Sequence, residues 1–272
     1  MTPSSNALVF FLGGHDLEMV TIRDLLLEAV PERFYDKELV WGAKASAYRE
    51  EITETLARGF TPVFVELVND LGLDPAQFLV VDHHGERAGE NQPTSLHQVF
   101  NLLGLSPECW TRWFDLVAAN DWGYIPAMVE MGATREEIIK VRAADRAAQG
   151  ITPEEEAEGA RAIARTELLA QGALTVVHLP HSRTATVTDR LQTELGGPGY
   201  QNLLVCDPDQ VNFFGSGELI FALDRKFPGG WYGGALPMRG FWGHESPVSD
   251  VLSVLLSCID KSEEANYQDP VR

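Results

Sequence analysis

The chain has 272 residues, with 21 Lys and Arg against 40 Asp and Glu, a formal net charge of −19 at pH 7, 44% hydrophobic residues and 22% charged ones. This is the composition of a globular protein able to build a sizeable core as one large domain or two modest ones. The acidic balance opposes a broad nucleic-acid or anionic-membrane surface and favours solubility, yet it leaves room for a small anionic substrate held by a metal ion or a few arginines. Cys109, Cys206 and Cys258 are widely spaced with no CxxC pair, which reads as reduced thiols in a cytoplasmic protein. No run approaches the roughly 18 to 20 apolar residues that span a bilayer, so no membrane association is expected. The apolar run Ala7 to Leu12 reads as a first strand rather than a signal peptide.

Short apolar runs alternate with helical patterns through the first half. Ala7–Leu12 predicts a strand, and Ile22, Leu25, Leu26 and Ala29 recur at helical spacing behind it. Glu38–Ala43 predicts a second strand, Tyr48–Arg58 a helix, Thr61–Leu67 a third strand and Gln77–His84 a fourth. Strand and helix in alternation imply a largely parallel sheet covered on both faces. Helices follow over Leu96–Leu103 and Pro107–Ala119, and the pattern from Thr134 to Gln171 is helical. Thr152, Pro153 and Glu155 form a capping-box start within that span. Ala173–Leu179 predicts a strand, Thr186–Leu195 a helix, Asn202–Asp207 a strand and Gly217–Asp224 another strand. A glycine-rich stretch follows, then a helix from Val248 to about Ile259 and a polar tail. The expected organisation is a first domain over 1–130, a helical linker over 131–172 and a second, smaller α/β domain over 173–272.

Asp82-His83-His84 follows an apolar strand and precedes Gly85. The carboxyl ends of parallel strands face the ligand crevice, and imidazole with carboxylate suits Zn, Mn, Fe or Mg-type sites. A bare Asp-His-His is also met as a surface turn. Three further strand or segment ends carry the same chemistry: His15-Asp16-Leu17-Glu18 after the first strand, Glu66 after the third, and Asp121 after Leu116–Ala119. Singly, Asp16 reads as an N-cap, Glu66 as a strand-end charge and Asp121 as a turn former. Together they deliver what a two-metal site needs, with cations roughly 3.5 to 4 Å apart and ligands from separate elements. Asp70 and Glu86 are rival ligands by proximity in sequence. His97 and His178 read as structural.

These motifs resemble the DHH phosphoesterase family, whose members have a Rossmann-like metal-binding domain, a helical linker and a smaller domain called DHHA1. Asp82-His83-His84 matches the third motif literally, and Asp121 in Asn120-Asp121-Trp122-Gly123-Tyr124 matches the fourth. The first motif departs: Asp16-Leu17-Glu18 stands where Asp-Gly-Asp is usual, and the usual histidine falls on Leu12, leaving His15 nearby. Glu66 replaces the Asp of the second motif. The resemblance implies Mn²⁺ or Mg²⁺, two ions per chain, with His15, Asp16, Glu18, Glu66, His83 and Asp121 as ligands. His84 would contact phosphoryl oxygens or donate a proton, and Asp82 would orient a histidine.

Gly229, Gly230, Gly233, Gly234 and Gly240 crowd into the second domain, where the family carries Gly-Gly-Gly-His. Gly233 and Gly234 have no adjacent histidine here, and Arg239 or His244 would supply the cationic contact. Trp231, Tyr232 and Trp242 either stack a base or fill a small core. Arg183, in the loop from His181 to Thr186, offers a cation near a helix start, or simply a capped loop. The expected activity is a cytoplasmic, metal-dependent phosphoesterase acting on a nucleotide or short oligonucleotide. The alternatives are a pyrophosphate or polyphosphate hydrolase, which would want more cations than Arg183, Lys226 and Arg239, and a non-catalytic nucleotide-binding module. Long nucleic acid is not an expected partner, and a homodimer stays open.

Overall fold

A computed structural model describes residues 7–88 and 92–268, with side chains through Asp260. The chain forms two compact units. The first takes the described residues up to His83, then those up to Asp121, and also Ala143–Gln149; the second takes the stretch starting at His84, then Trp122–Arg142, and the chain from Gly150 onward.

The first unit is built on a parallel sheet ordered β2-β1-β3-β4, from β1 (Leu8–Leu12), β2 (Phe34–Tyr35), β3 (Thr61–Val65) and β4 (Leu79–Val81). Every residue of β1 is buried, as a central parallel strand covered on both faces requires. Phe11 and Phe64 meet edge to face at 6.3 Å between ring centres, and Phe64 stacks on Phe78 at 4.6 Å. Tyr48, just before α2 (Arg49–Ala57), and Ile52 within it complete that layer. Helix α1 (Leu17–Ala29) buries Leu17, Ile22, Leu25 and Leu26, and it packs with α3 (Ser95–Leu103). The strand order reverses direction at β1, with β2 on one side and β3 on the other, so the crevice lies at the carboxyl ends of β1 and β3.

The strand expected over Glu38–Ala43 does not form. The ladder with β1 is made earlier, by Phe34 and Tyr35. Glu38 (φ 50°) and Gly42 (φ 76°) take left-handed conformations that break an extended run, leaving a bridge from Leu39 to Gly14.

Two long helices lead onward. Helix α4 (Arg112–Glu130) is interrupted at Gly123 and Tyr124, whose φ/ψ values are not helical, and α5 (Arg135–Ala148) follows. Helix α6 (Pro153–Ile163) starts on the expected capping box: Thr152 accepts the Glu155 N–H, and Glu155 accepts the Thr152 N–H.

The second unit carries a mixed sheet ordered β5-β6-β7-β8-β10-β9: β5 (Glu167–Leu169), β6 (Leu174–His178), β7 (Leu203–Cys206), β8 (Val211–Ser216), β9 (Trp231–Gly233) and β10 (Arg239–His244). Only β6 and β7 pair in parallel. Alternate residues serve opposite faces. Val176, Leu204 and Cys206 pack with Trp242, Ile220 of α8 (Gly217–Lys226) and Leu255 of α9 (Val248–Gln268). Val177, Leu203 and Val205 pack with Ala162 of α6 and with Val187 and Leu191 of α7 (Ala185–Leu191).

Several expectations are corrected here. Gly217–Asp224 is helix α8, not a strand: Ser216 caps its N-terminus, and Leu219, Ile220 and Leu223 fall on one buried helical face. The strand lies just upstream in β8. Within the span read as helical, β5 forms because it pairs antiparallel with β6. Helix α9 runs to Gln268, beyond the expected end near Ile259; the last residues of the polar tail, 269–272, lie outside the described ones, as do residues 1–6 at the other end.

Candidate metal centre

Acidic residues after β1 and β3 and in α4 converge in the first unit on His83, which follows β4. Chain geometry after β1 is fixed by Gly13, where a Cβ would run into the Glu66 and Val65 carbonyl oxygens. Further on, Asp16 caps α1 by accepting the Met19 N–H at 2.9 Å. The adjacent Leu17 N–H donates to Asp145 Oδ1 of α5 at 3.3 Å, across 128 positions of sequence. The first turn of α1 then presents Glu18, 2% exposed, inward.

Glu66 sits immediately past β3 with φ 53°, a left-handed value uncommon for a side chain of its size. Its N–H still donates to the Val81 carbonyl at 2.8 Å, extending the β3–β4 ladder by one bond. The turned backbone is thus anchored while the carboxylate is re-aimed, and Glu66 Oε1 accepts the Ser95 hydroxyl at 2.7 Å. Glu18 Oε1 accepts the Leu96 N–H at 2.9 Å. The start of α3 therefore holds two of the carboxylates.

His83 follows β4 and is 4% exposed. Its Nε2 lies 2.6 Å from Asp121 Oδ2, 3.6 Å from Glu18 Oε2 and 3.7 Å from Glu66 Oε1. Ligand atoms of Glu18, His83 and Asp121 all fall within 4.8 Å of one another, close enough to hold one ion. Glu18 Oε2 is buried and makes no hydrogen bond among the described residues. A buried carboxylate oxygen without a donor is costly, and a divalent cation would remove that cost. The donor set, carboxylates with one imidazole, matches Mn²⁺ chemistry among others.

The electrostatics agree. Burial alone would raise Glu18, but the His83 ring 3.6 Å away brings it down to about 2. Burial opposes charge on His83, yet Asp121 foremost, then Glu18, push it up to about 12. Asp16 is raised well above the usual carboxylate range, by burial first and then by Asp121 and Glu66. The acidic groups thus hold positive charge on His83, a role a cation would take over.

Other residues singled out in the sequence fall elsewhere. Leu12, at the position of the usual histidine, is fully buried. His15 has a buried Nδ1 with no hydrogen-bond partner among the described residues, and neither it nor Asp16 belongs to the tight group. Asp70 accepts the Ser46 N–H at an exposed position, and Glu86 lies in a short 3-10 turn of the second unit. Asp82 is held through its carbonyl, which accepts the Gln98 side-chain amide at 3.0 Å. His97 stacks on Trp110 at 4.3 Å.

Within the second unit, His84 and the glycine-rich strands meet. A Cβ on Gly233 would lie 3.1 Å from His84 Cδ2, and the His84 and Phe241 rings are 6.2 Å apart. Gly234 has φ 98° and comes against Gly240. Arg239 donates to the Gln201 carbonyl at 2.9 Å on an exposed face. Arg183 faces Glu155 at 3.6 Å. His244 stacks on Trp242 at 5.7 Å and contacts Ser246 at 2.8 Å. Trp242 is fully buried and fills the core, so the base-stacking alternative for it is withdrawn; Trp231 and Tyr232 are half-buried.

Ser95, Leu96 and Asp145 carry no signal in the sequence. Their partners are 29, 78 and 128 positions away.

No protein-family model matches the chain, and no curated protein matches it in sequence. Solved structures do. RecJ from Thermus thermophilus, in complex with Mn²⁺, is similar with a TM-score of 0.51 and 13% identity over 97% of this chain and 53% of that one. An exopolyphosphatase-related protein from Bacteroides fragilis is similar with a TM-score of 0.48 and 10% identity over 95% of this chain and 92% of that one. This chain spans about half the length of that RecJ. The likeness to RecJ shows the fold alone: this chain shares its α/β architecture. Among the described residues no helix is long and apolar enough to cross a membrane.

Proposed function

We propose that the protein is a metal-dependent phosphoesterase acting on a small nucleotide or short oligonucleotide. The observation that carries this reading is the group of Glu18, His83 and Asp121, with a buried Glu18 oxygen that no donor satisfies. Glu66 borders the group through His83, and Asp16 feels the charges of Asp121 and Glu66. A Mn²⁺ or Mg²⁺ ion there would polarise a phosphoryl oxygen and offset charge as phosphorus is attacked. The carboxylates hold the cation, with Ser95 and the Leu96 N–H fixing two of them in place. His84 binds a phosphoryl oxygen or gives a proton to the leaving group, and Asp82 orients the histidines. Arg183, Gly233, Gly234, Arg239 and His244 are proposed to hold the rest of the substrate. Two cations per chain, a cytoplasmic setting and the domain limits 1–130, 131–172 and 173–272 belong to the same proposal. The Mn²⁺ present in the RecJ structure supports the choice of ion.

The test pairs calorimetric titration with Mn²⁺ and hydrolysis of bis-p-nitrophenyl phosphate. Asp121→Asn keeps the shape of the residue beside His83 and removes its charge. It should weaken Mn²⁺ binding at least about tenfold and abolish turnover. Folded wild-type protein that binds no Mn²⁺ and hydrolyses nothing would sink the reading.

A further inference from the structure

An exposed apolar patch lies on the crevice edge of the first unit, outside the acidic cluster. Leu39 bridges Gly14, just past the end of β1, and Lys44 bridges Val68, just past β3. The segment between them therefore crosses over the carboxyl end of β1 and arrives beside that of β3. Trp41 stands midway along it. Its Cα and its indole Cδ1 are each 3.2 Å from the place a Cβ on Gly14 would occupy. Gly13, the next residue back, is packed still more tightly against the Glu66 backbone. Adjacent Cα atoms are about 3.8 Å apart, so Trp41 and Glu66 flank one glycine pair. Trp41 is 43% exposed, with Val40 at 78% and Val68 at 57%.

Single exposed apolar residues are ordinary, but a group of them on a ligand edge marks a binding surface. A left-handed turn at Gly42 follows Trp41 directly, and the indole, packed against Gly14, stays partly exposed. An indole offers a flat face on which any nucleobase can stack, and stacking needs no basic surface. That suits a chain of charge −19. Pyrophosphate has nothing to place against such a face.

We propose that Trp41 is the base-stacking residue of this site, receiving the nucleobase of a nucleotide whose phosphate lies at the Glu18, Glu66, His83 and Asp121 cluster. The proposal rests on the phosphoesterase reading for the place of the phosphate.

The experiment titrates adenosine 5′-monophosphate and ribose 5-phosphate, with Mn²⁺, into wild type, Trp41→Phe and Trp41→Ala. Trp41→Ala should weaken nucleotide binding about tenfold, within the range of base–aromatic stacking. Trp41→Phe should restore most of it, and ribose 5-phosphate should bind all three alike. Nucleotide binding that Trp41→Ala leaves unchanged overturns the proposal, as does wild-type binding of the nucleotide no tighter than that of ribose 5-phosphate. Hydrolysis of thymidine 5′-p-nitrophenyl phosphate, followed in parallel, separates the two readings. Turnover with binding independent of Trp41 sinks the stacking alone; binding dependent on Trp41 without turnover sinks the phosphoesterase and leaves the stacking.

Discussion

Ser95 makes one hydrogen bond to Glu66 and is itself fully buried. Ser95→Ala should lower Mn²⁺ affinity about tenfold, because a carboxylate without its orienting donor wanders. The same change should cost about 1 kcal/mol of stability, read by urea unfolding. Tyr48 is a second buried hydroxyl with a split duty: it donates to the Leu12 carbonyl at 2.7 Å and accepts the Lys37 N–H at 2.9 Å. Burial pushes its phenol from 10.0 up to about 12. A raised folded-state value means the folded protein holds the proton more tightly than the unfolded chain does. The resulting stability is complete below about pH 10 and is lost as pH rises toward 12. Tyr48→Phe should therefore destabilise the protein at pH 7 and flatten that alkaline loss, measured by thermal melts across pH. Asp82, His83 and His84 were legible because they are contiguous and end a strand. Ser95 was not, because its hydroxyl answers to a residue in another element.

Elements were legible where a local signal decides them. The capping box of Thr152 and Glu155 is written in four consecutive residues, and the helix starts there. Thr152→Ala should cost about 1 kcal/mol and lower the melting temperature, with the Glu155 carboxylate losing one of its two donors. Signals failed where tertiary pairing decides. Gly217–Asp224 is apolar enough for a strand, and the choice of helix rests on the Ser216 cap and on the face that packs against α9. Glu38–Ala43 has strand-forming residues, but β1 already has its partner in β2, and Glu38 and Gly42 turn the chain away. The failure is informative, since the segment freed from the sheet is the one that carries Trp41 to the rim.

At the scale of the whole molecule, the charge of −19 predicts how substrate length matters. Each added phosphate would enter an increasingly repulsive field beyond the proposed cation site. Affinity should stay flat or fall from a dinucleotide to a twenty-residue single strand, measured by fluorescence anisotropy. A rise with length that collapses in salt would instead report an extended basic track. The parallel sheet and its acidic edge could be read from the sequence, but the return of Ala143–Gln149 to the first unit could not, because by then the chain has left it. That return has a consequence for how the protein is made. Asp145 supplies the acceptor for the Leu17 N–H, beside the residue that caps α1. During synthesis the ribosome must deliver residue 145 before the first turn of α1 is fastened, although the strands beneath it emerge much earlier. The first unit is thus completed late, and the start of α1 lacks this fastening in every nascent chain too short to include α5.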